Sequence, residues 1–219
     1  RIIRDFTHAP RPSSRPHPVV SGILMLAVHA PWLPVLHLRR RESMARVALD
    51  LGNKEDLSVL STTGWRRAMG YVPGEPNQGL VAEILGSPAR MVEYDDSAWD
   101  KDVDIQDRLS VGFTFAWYRL RFTMPEAVKG QNVAGCRVFL ETNVDNYGEV
   151  YINGKIDRTI GVITGNNTQK RVSVEDPAVP GGEHLVSILV GNGPLGEPVG
   201  AIFMRYAYLS FEESPPPAR

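Results

Sequence analysis

The sequence predicts an all-β protein built as an antiparallel β-sandwich. From about residue 90 onward, short stretches rich in Val, Ile, Phe, Tyr and Thr recur, and these residue types suit the pleated surface of a strand. Gly, Pro and Asn residues separate the stretches and mark turns. No amphipathic helix of more than three turns stands out after Met44. Eight short strands at this spacing indicate a sandwich or jelly roll.

One candidate strand is apolar on both of its faces. In residues 184–190, Leu185 and Leu189 point to one side, whereas Val186 and Ile188 point to the other. We expect such a strand in the middle of a sheet. The full set of candidate strands is 89–94, 112–123, 136–142, 149–152, 156–163, 170–174, 184–190 and 201–211.

The turn chemistry is most specific at Asn153-Gly154. Both residues accept a positive φ, as a two-residue type I′ hairpin turn requires, and the pair follows an apolar stretch. The segment 79–85 is compatible with a short helix or with a strand.

Composition excludes several classes of function. The formal net charge is −1, which removes the usual electrostatic argument for a nucleic-acid binder. Cys136 is the only cysteine, so neither an internal disulfide framework nor a Cys-rich zinc site is expected. His184 is the only histidine after Met44, and its position at the start of an apolar strand predicts a structural role. No Ser/His/Asp or Cys/His constellation is indicated, and no catalytic residue is assigned.

Residues 1–43 differ from the rest of the chain. They carry seven basic and two acidic residues, a net charge of +5 against −6 for the remainder, and 19–38 contains no charge. Three interpretations stay open for this irregular leader. Translation could start at Met44, giving a cytoplasmic protein; 19–38 could be a membrane or export segment; or the leader could be a docking arm. The predicted organisation is a leader at 1–43, loops and edge strands at 44–90, the sandwich core at 91–211, and a Pro-rich tail at 212–219.

Several motifs, in order, carry a resemblance to a known family. The segments 95–99 (DDSAW), 115–125 (FAWYRLRFTMP) and 145–155 (DNYGEVYINGK) resemble those of galactose-binding-like sandwiches, including the sugar-binding domain of family 2 glycoside hydrolases. The order of four segments, 117–119 (WYR), 139–155, 192–194 (NGP) and 205–211 (RYAYLSF), is similar to that in the β-sandwich region fused to some bacterial gluconolactonase-like proteins. The resemblance covers about 91–211 and implies a galactose-binding-like jelly roll. The propeller of the fused proteins is not in this sequence, so its lactonase chemistry is not carried over.

Aromatic and polar side chains supply the candidate ligand-binding site. Flat aromatic faces can stack on a sugar ring, while Arg, Asn and carboxylate groups bond its hydroxyls. The six predicted ligand-binding residues are Trp117, Arg119, Asp145, Tyr147, Glu149 and Asn192. Further aromatic candidates are Trp65, Trp99, Tyr118 and Tyr151.

Two alternatives to this site stay open in the sequence. On residues 112–123, Trp117 could instead close the sandwich, with Arg119 pairing to a carboxylate such as Glu141 or Glu149. An acidic stretch, residues 95–107, is interpreted as a solvated loop or as an irregular structural calcium site. No other cofactor is expected.

The sequence supports three hypotheses about function. The favoured one is a noncatalytic, carbohydrate-binding module accessory to sugar-active enzymes. The second is a structural or assembly subunit docked on a larger protein complex, with membrane contact through 19–38. The third is a small carboxylate-dependent lyase or hydrolase, which would need Asp145 or Glu149 in a deep pocket.

Overall fold

Two antiparallel β-sheets pack face to face and enclose the main hydrophobic core. The computed structural model describes residues 46–69, 87–108, 114–145, 147–165, 167–192 and 201–214. Every strand pairing within these residues is antiparallel. The all-β antiparallel sandwich predicted from the sequence is therefore confirmed.

The two sheets have four and six strands. The four-stranded sheet has the order β1-β12-β7-β10, and the six-stranded sheet has the order β3-β2-β4-β11-β8-β9, with β5-β6 as a small separate ribbon. The strands are β1 (Val47–Asp50), β2 (Arg66–Met69), β3 (Asp100–Lys101), β4 (Thr114–Thr123), β5 (Ala127–Val128), β6 (Gln131–Asn132), β7 (Arg137–Val144), β8 (Tyr147–Ile152), β9 (Val162–Thr164), β10 (Gln169–Glu175), β11 (Glu183–Asn192) and β12 (Met204–Glu212). The helical elements are α1 (Lys54–Ser58) and a 3₁₀ turn (Pro88–Arg90).

The core lies between the inner faces of the two sheets. Leu140 and Leu209 from the four-stranded sheet meet Leu120 and Ile188 from the six-stranded sheet, and all four are fully buried. Burial of each such side chain stabilises the fold by roughly 1.5–3 kcal/mol. β11 hydrogen-bonds to β4 on one side and to β8 on the other. This confirms the central position predicted from its two apolar faces.

The Asn153-Gly154 turn has the predicted conformation. Its φ angles are 49° and 78°, and the backbone of Ile152 bonds that of Lys155 in both directions, at 2.8 and 3.0 Å. The Asn153 side chain also accepts a hydrogen bond from the backbone N–H of Leu185 at 2.8 Å. The turn thereby joins the end of β8 to the start of β11.

One predicted strand is wrong and another is wrong over most of its length. Residues 89–94 form the end of the 3₁₀ turn and then further turns, because their carbonyls bond to arginine side chains instead of a neighbouring strand. Residues 156–161 are turn and loop, and only Val162–Thr164 of that stretch pairs with β8. Apolar residues in a turn and in a short strand have the same composition, so the sequence pattern does not separate them.

The segment between Met44 and residue 90 contributes β1, at the edge of the four-stranded sheet, and β2, which lies between the edge strand β3 and β4 in the six-stranded sheet. Helix α1 follows β1, and Asn53 caps it by accepting hydrogen bonds from the N–H groups of Glu55 and Asp56 at 2.8 and 3.3 Å. The candidate helix or strand at 79–85 lies outside the described residues.

The leader at 1–43 also lies outside the described residues, so its three interpretations stay predictions, as do the domain boundaries and the tail. Among the described helices, none is long and apolar enough to cross a membrane.

Candidate functional site

The predicted site residues Trp117, Arg119, Tyr147 and Glu149 lie on the outer face of the six-stranded sheet. The strand register places Trp117, Leu189 and Glu149 in one row across β4, β11 and β8. The next row contains Arg119, Ser187 and Tyr151. The side-chain alternation predicted for β4 is confirmed, since Tyr118, Leu120 and Phe122 belong to the main core.

Trp117 is buried on this outer face. Only 4% of it is exposed, and its ring lies 5.7 Å from that of Tyr151, centroid to centroid. It belongs to a second apolar cluster that also includes Trp99 and Ala89. The ring therefore packs against the protein's own side chains, as the alternative interpretation of this residue proposed. Trp65 and Trp99, the other aromatic candidates with indole rings, are 1% and 5% exposed.

Arg119 is also buried, with 1% of its surface exposed. Its Nε lies 2.8 Å from a carboxylate oxygen of Asp96, and its guanidinium donates to the carbonyl oxygens of Ala89, Met91 and Tyr94. Burial lowers the pKa of Arg119, and the neighbouring Asp96 carboxylate opposes that shift. The ion-pair partner is thus Asp96 rather than the Glu141 or Glu149 expected from the sequence.

Residues 87–99, named here the covering segment, lie over this face. Arg121 donates to the carbonyl oxygens of Val92 and Tyr94, at 2.5 and 3.3 Å. Arg90 donates to the carbonyl of Gly154 at 2.6 Å, which ties the segment to the end of β8. Arginine side chains therefore hold the covering segment on the sheet, and the face near β4 is closed by the chain itself.

Tyr147, Glu149 and Tyr151 form a compact group on β8. Both tyrosine hydroxyls donate to the Glu149 carboxylate, Tyr147 at 2.7 Å and Tyr151 through a shorter bond. The Arg158 guanidinium lies 3.8 Å from the same carboxylate. Burial raises the pKa of Tyr151, and its bond to Glu149 raises it further. Each carboxylate oxygen of Glu149 thus already accepts a hydrogen bond from protein.

Asp145 and Asn192 lie at one end of the sandwich. Asp145 is half-buried beyond the end of β7, and its carboxylate is 3.3 Å from the guanidinium of Arg205. Asn192 is the last residue of β11 and pairs with Thr114 through the backbone; its side chain lies outside the described residues. Of the six predicted residues, Tyr147 and Glu149 are joined by a side-chain hydrogen bond, and the backbone N–H of Tyr147 donates to the carbonyl oxygen of Asp145 at 3.1 Å.

The predicted acidic stretch is divided among several environments. Asp96 is 6% exposed and is bound by arginines, whereas Asp100 pairs with Arg67 at 3.3 Å on the surface. Asp102 and Asp104 line a cleft. In the described ranges, no group of three or more His, Cys, Asp or Glu side chains could hold a metal ion.

His184, interpreted from the sequence as structural, is 7% exposed and stacks on Phe122 with ring centroids 5.4 Å apart. Its Nε2 lies 3.3 Å from a carboxylate oxygen of Glu175. Both contacts belong to the packing of β11 and its neighbours.

A half-open cleft of about 590 Å³ lies between the loop and helix after β1 and the segments flanking β2 and β3. That volume is within the range of ligand pockets, roughly 300–1,000 Å³. The lining residues are Leu51, Gly52, Lys54, Leu57, Ser58, Thr62, Thr63, Gly64, Trp65, Asp102, Val103 and Asp104.

The base of the cleft is apolar and firmly held. Leu51 and Trp65 are 0% and 1% exposed, and the Trp65 indole N–H donates to the Leu51 carbonyl at 2.9 Å. The backbone N–H of Val103 donates to the Trp65 carbonyl at 3.3 Å. Because these contacts join three separate segments, the base is fixed by the core of the sandwich.

The rim of the cleft is polar. Within the described residues, the side chains of Lys54, Thr63 and Asp102 have no hydrogen bond or ion pair to another protein group. Asp102 adopts a positive φ of 52° and faces Gly64, where a Cβ would lie 2.7 Å from its carboxylate oxygen. The missing side chain at Gly64 therefore leaves space for the Asp102 carboxylate.

The sequence does not reveal this cleft. Trp65 is one of the aromatic candidates, and Asp102 and Asp104 belong to the acidic stretch, but no local motif joins these residues to Lys54 or Thr63. The feature of the sequence that could have indicated the cleft is the pair of glycines, Gly52 and Gly64, in a segment without long apolar runs.

Comparison with known proteins shows similarity only to solved structures, since no protein-family model and no curated protein matches the chain. A Bacteroides uniformis β-glucuronidase is similar with a TM-score of 0.50 and 16% identity, over 76% of this chain and 18% of that one. Bacteroides uniformis β-glucuronidase 2, bound covalently to cyclophellitol-6-carboxylate aziridine, gives a TM-score of 0.51 and 16% identity over the same shares. A β-glucuronidase from glycoside hydrolase family 2 gives 0.48 and 20%, over 78% and 18%.

At these identities the similarity concerns the fold alone. It confirms that the sandwich resembles one found in glycoside hydrolases such as β-glucuronidases, as the sequence motifs implied. This chain spans 18% of the length of those enzymes.

Proposed function

We propose that this sandwich is a noncatalytic module that binds carbohydrate and accompanies a sugar-active enzyme. The observation that carries the proposal is the cleft, which combines a fixed apolar base with polar rim groups that have no protein partner in the described residues. The similarity in fold to β-glucuronidases supports the carbohydrate class but does not identify the ligand.

The chemistry of the cleft matches that of a sugar ring. A pyranose has a C–H face, which can pack on the partly exposed Leu57 and Val103, and hydroxyls that both donate and accept hydrogen bonds. Asp102 can only accept such bonds, Lys54 can only donate them, and Thr63 can do both. A ligand with hydroxyls on several carbons satisfies all three groups at once.

The same geometry supports binding without turnover. Glycoside hydrolysis uses two carboxyl groups, and the general acid is typically one whose pKa is raised by burial. Asp102 and Asp104 are exposed. Glu149 accepts hydrogen bonds from two tyrosines and Asp145 pairs with Arg205, and neither residue lines the cleft. The small-enzyme hypothesis therefore has less support.

The predicted contacts at Asp145, Tyr147 and Glu149 remain a second proposed surface, since all three are half-buried rather than buried. The assembly hypothesis depends on the leader, which lies outside the described residues.

The test is a glycan array with the full chain, followed by calorimetric titration of the glycans retained. We expect weak binding and no hydrolysis product. Thr63→Trp should abolish binding, because it places a large ring in the cleft, and should leave thermal unfolding nearly unchanged since Thr63 is exposed. The matched control is Thr159→Trp, at another exposed threonine that does not line the cleft.

The two proposed surfaces give different results. If Thr63→Trp binds like the wild type and Tyr147→Ala does not, the ligand lies on β8 and the cleft is not the site. If the array retains no glycan, the proposal of a carbohydrate-binding module is wrong.

A further inference from the structure

We infer that the cleft selects neutral sugars over sugar acids, an inference that rests on the proposed function. Among the described residues that line the cleft, Asp102 and Asp104 are acidic and Lys54 is basic, which gives this lining a formal net charge of −1. A sugar acid adds a second negative charge to this space, whereas a neutral sugar adds none.

Asp102 has the larger share in this selectivity. Its carboxylate lies against the Cα of Gly64, in a space that a side chain at residue 64 would close. Asp104 is less available, because one of its carboxylate oxygens accepts a hydrogen bond from the backbone N–H of Gln106 at 2.8 Å. An ionised carboxylate accepts hydrogen bonds and donates none. Asp102 therefore bonds a sugar hydroxyl and repels a ligand carboxylate.

Lys54 does not reverse this preference. It is exposed at the first position of α1, in a first turn that also contains Glu55 and Asp56. Exposed ammonium groups are strongly hydrated and gain little from a single ion pair in water. Two fixed carboxylates against one hydrated ammonium leave a cleft that disfavours anions.

The prediction departs from what similarity in fold would suggest. Two of the solved structures of similar fold are β-glucuronidases, named for a sugar acid. A carbohydrate-binding module that preferred the sugar acid for which these enzymes are named would bind uronates. The charges of this cleft predict the opposite order of affinity.

The experiment uses matched pairs of methyl glycosides and the full chain. Each pair contains a neutral hexoside of gluco, galacto or manno configuration and the uronate with the same ring, so the two differ at carbon 6 alone. Binding is followed by NMR chemical-shift titration at low and at physiological salt. We expect the neutral member to bind about tenfold more tightly at low salt. The ratio should shrink as salt is added, because ions screen exposed charges.

Asp102→Asn separates charge from shape. Asn keeps the size and tolerates the positive φ at this position. We expect this variant to lower the ratio of neutral to uronate affinity by about tenfold relative to the wild type. The control is Asp157→Asn, the same substitution at an exposed residue outside the cleft, where the amide oxygen can still accept from the N–H of Thr159. It should leave the affinity ratio unchanged.

Each result decides the inference. A uronate that binds as tightly as its neutral partner, or more tightly, overturns the selectivity while leaving the carbohydrate-binding module intact. If the wild type prefers the neutral sugar and Asp102→Asn does not reduce that preference, the selectivity does not come from the cleft. If neither member of any pair binds at millimolar concentration, the proposed function and this inference fail together.

Discussion

Arg119 and Lys54 occupy opposite environments in the same sandwich. Arg119 is 1% exposed, forms an ion pair with Asp96 and donates to three carbonyl oxygens of the covering segment. Lys54 is exposed on the cleft rim and has no protein partner among the described residues. The first side chain uses its charge to hold the fold together, whereas the second leaves its charge available to a ligand.

This contrast shows why an arginine on a strand is a poor indicator of a binding site. Burying a guanidinium is unfavourable unless its hydrogen bonds are satisfied, so a buried arginine has typically met its partners inside the protein. An exposed polar group in a concave site bonds to water, and a ligand can replace that water.

Arg119→Met should destabilise the fold by about 3–5 kcal/mol. The substitution leaves the Asp96 carboxylate buried with fewer partners, and removing one member of a buried pair has effects of this size. It also removes three hydrogen bonds to carbonyl oxygens of the covering segment. Urea unfolding measures the change. A loss below about 1 kcal/mol would show that the covering segment stays in place without Arg119.

The matched control for this change is Arg121→Met, two residues along the same strand and face. Arg121 also donates to the covering segment, but its side chain is 41% exposed and it lies 3.9 Å from Asp96. We expect a loss of no more than about 1 kcal/mol, since exposed ion pairs contribute little.

The buried tyrosine Tyr118 predicts a loss of stability at high pH. It is fully buried, and burial raises its pKa to about 12, partly opposed by Arg67 and aided by Asp107 and Asp104. An unfolded tyrosine releases its proton near pH 10, so between about pH 10 and 12 the native state binds more protons than the unfolded state. Stability must therefore fall as the pH rises through this window, by on the order of 2–3 kcal/mol in total.

The measurement is the free energy of unfolding from pH 8 to pH 12 for the wild type and Tyr118→Phe. The phenylalanine variant should show a flatter profile than the wild type. Tyr206→Phe is the comparison variant, because burial raises the pKa of Tyr206 too, but its ring is only half-buried. If Tyr118→Phe and the wild type lose stability in parallel, then Tyr118 is not the group responsible.

The sequence predicts most of the sandwich because local rules decide it. Asn153-Gly154 fixes a turn through its positive φ values, and the two apolar faces of residues 184–190 require a central strand. The failures at 89–94 and 156–161 have one cause. Those segments contain apolar residues that pack on the outside of a sheet, and composition does not distinguish such packing from a strand.

The site is less predictable than the fold. Alternation along β4 correctly places Trp117 and Arg119 on the face away from the main core. It does not show that residues 87–99 return to cover that face. The cleft has the same difficulty, because Lys54, Thr63 and Asp102 come from three segments and are brought together only by the edges of the two sheets. Only tertiary structure joins them.

Lys54→Gln should have the smallest effect on stability, within about 0.5 kcal/mol of the wild type. The side chain is exposed, lacks a protein partner in the described residues, and places a positive charge at the start of a helix, where a cation is slightly unfavourable. Urea unfolding is the measurement. A loss of 1 kcal/mol or more would contradict the assignment of Lys54 to the ligand and would give it a structural role like that of Arg119. Unchanged stability, together with weaker binding of the glycan that Thr63→Trp no longer binds, would support the contrast between the two side chains. The charge of Arg119 would then hold the covering segment, and the charge of Lys54 would contact the ligand.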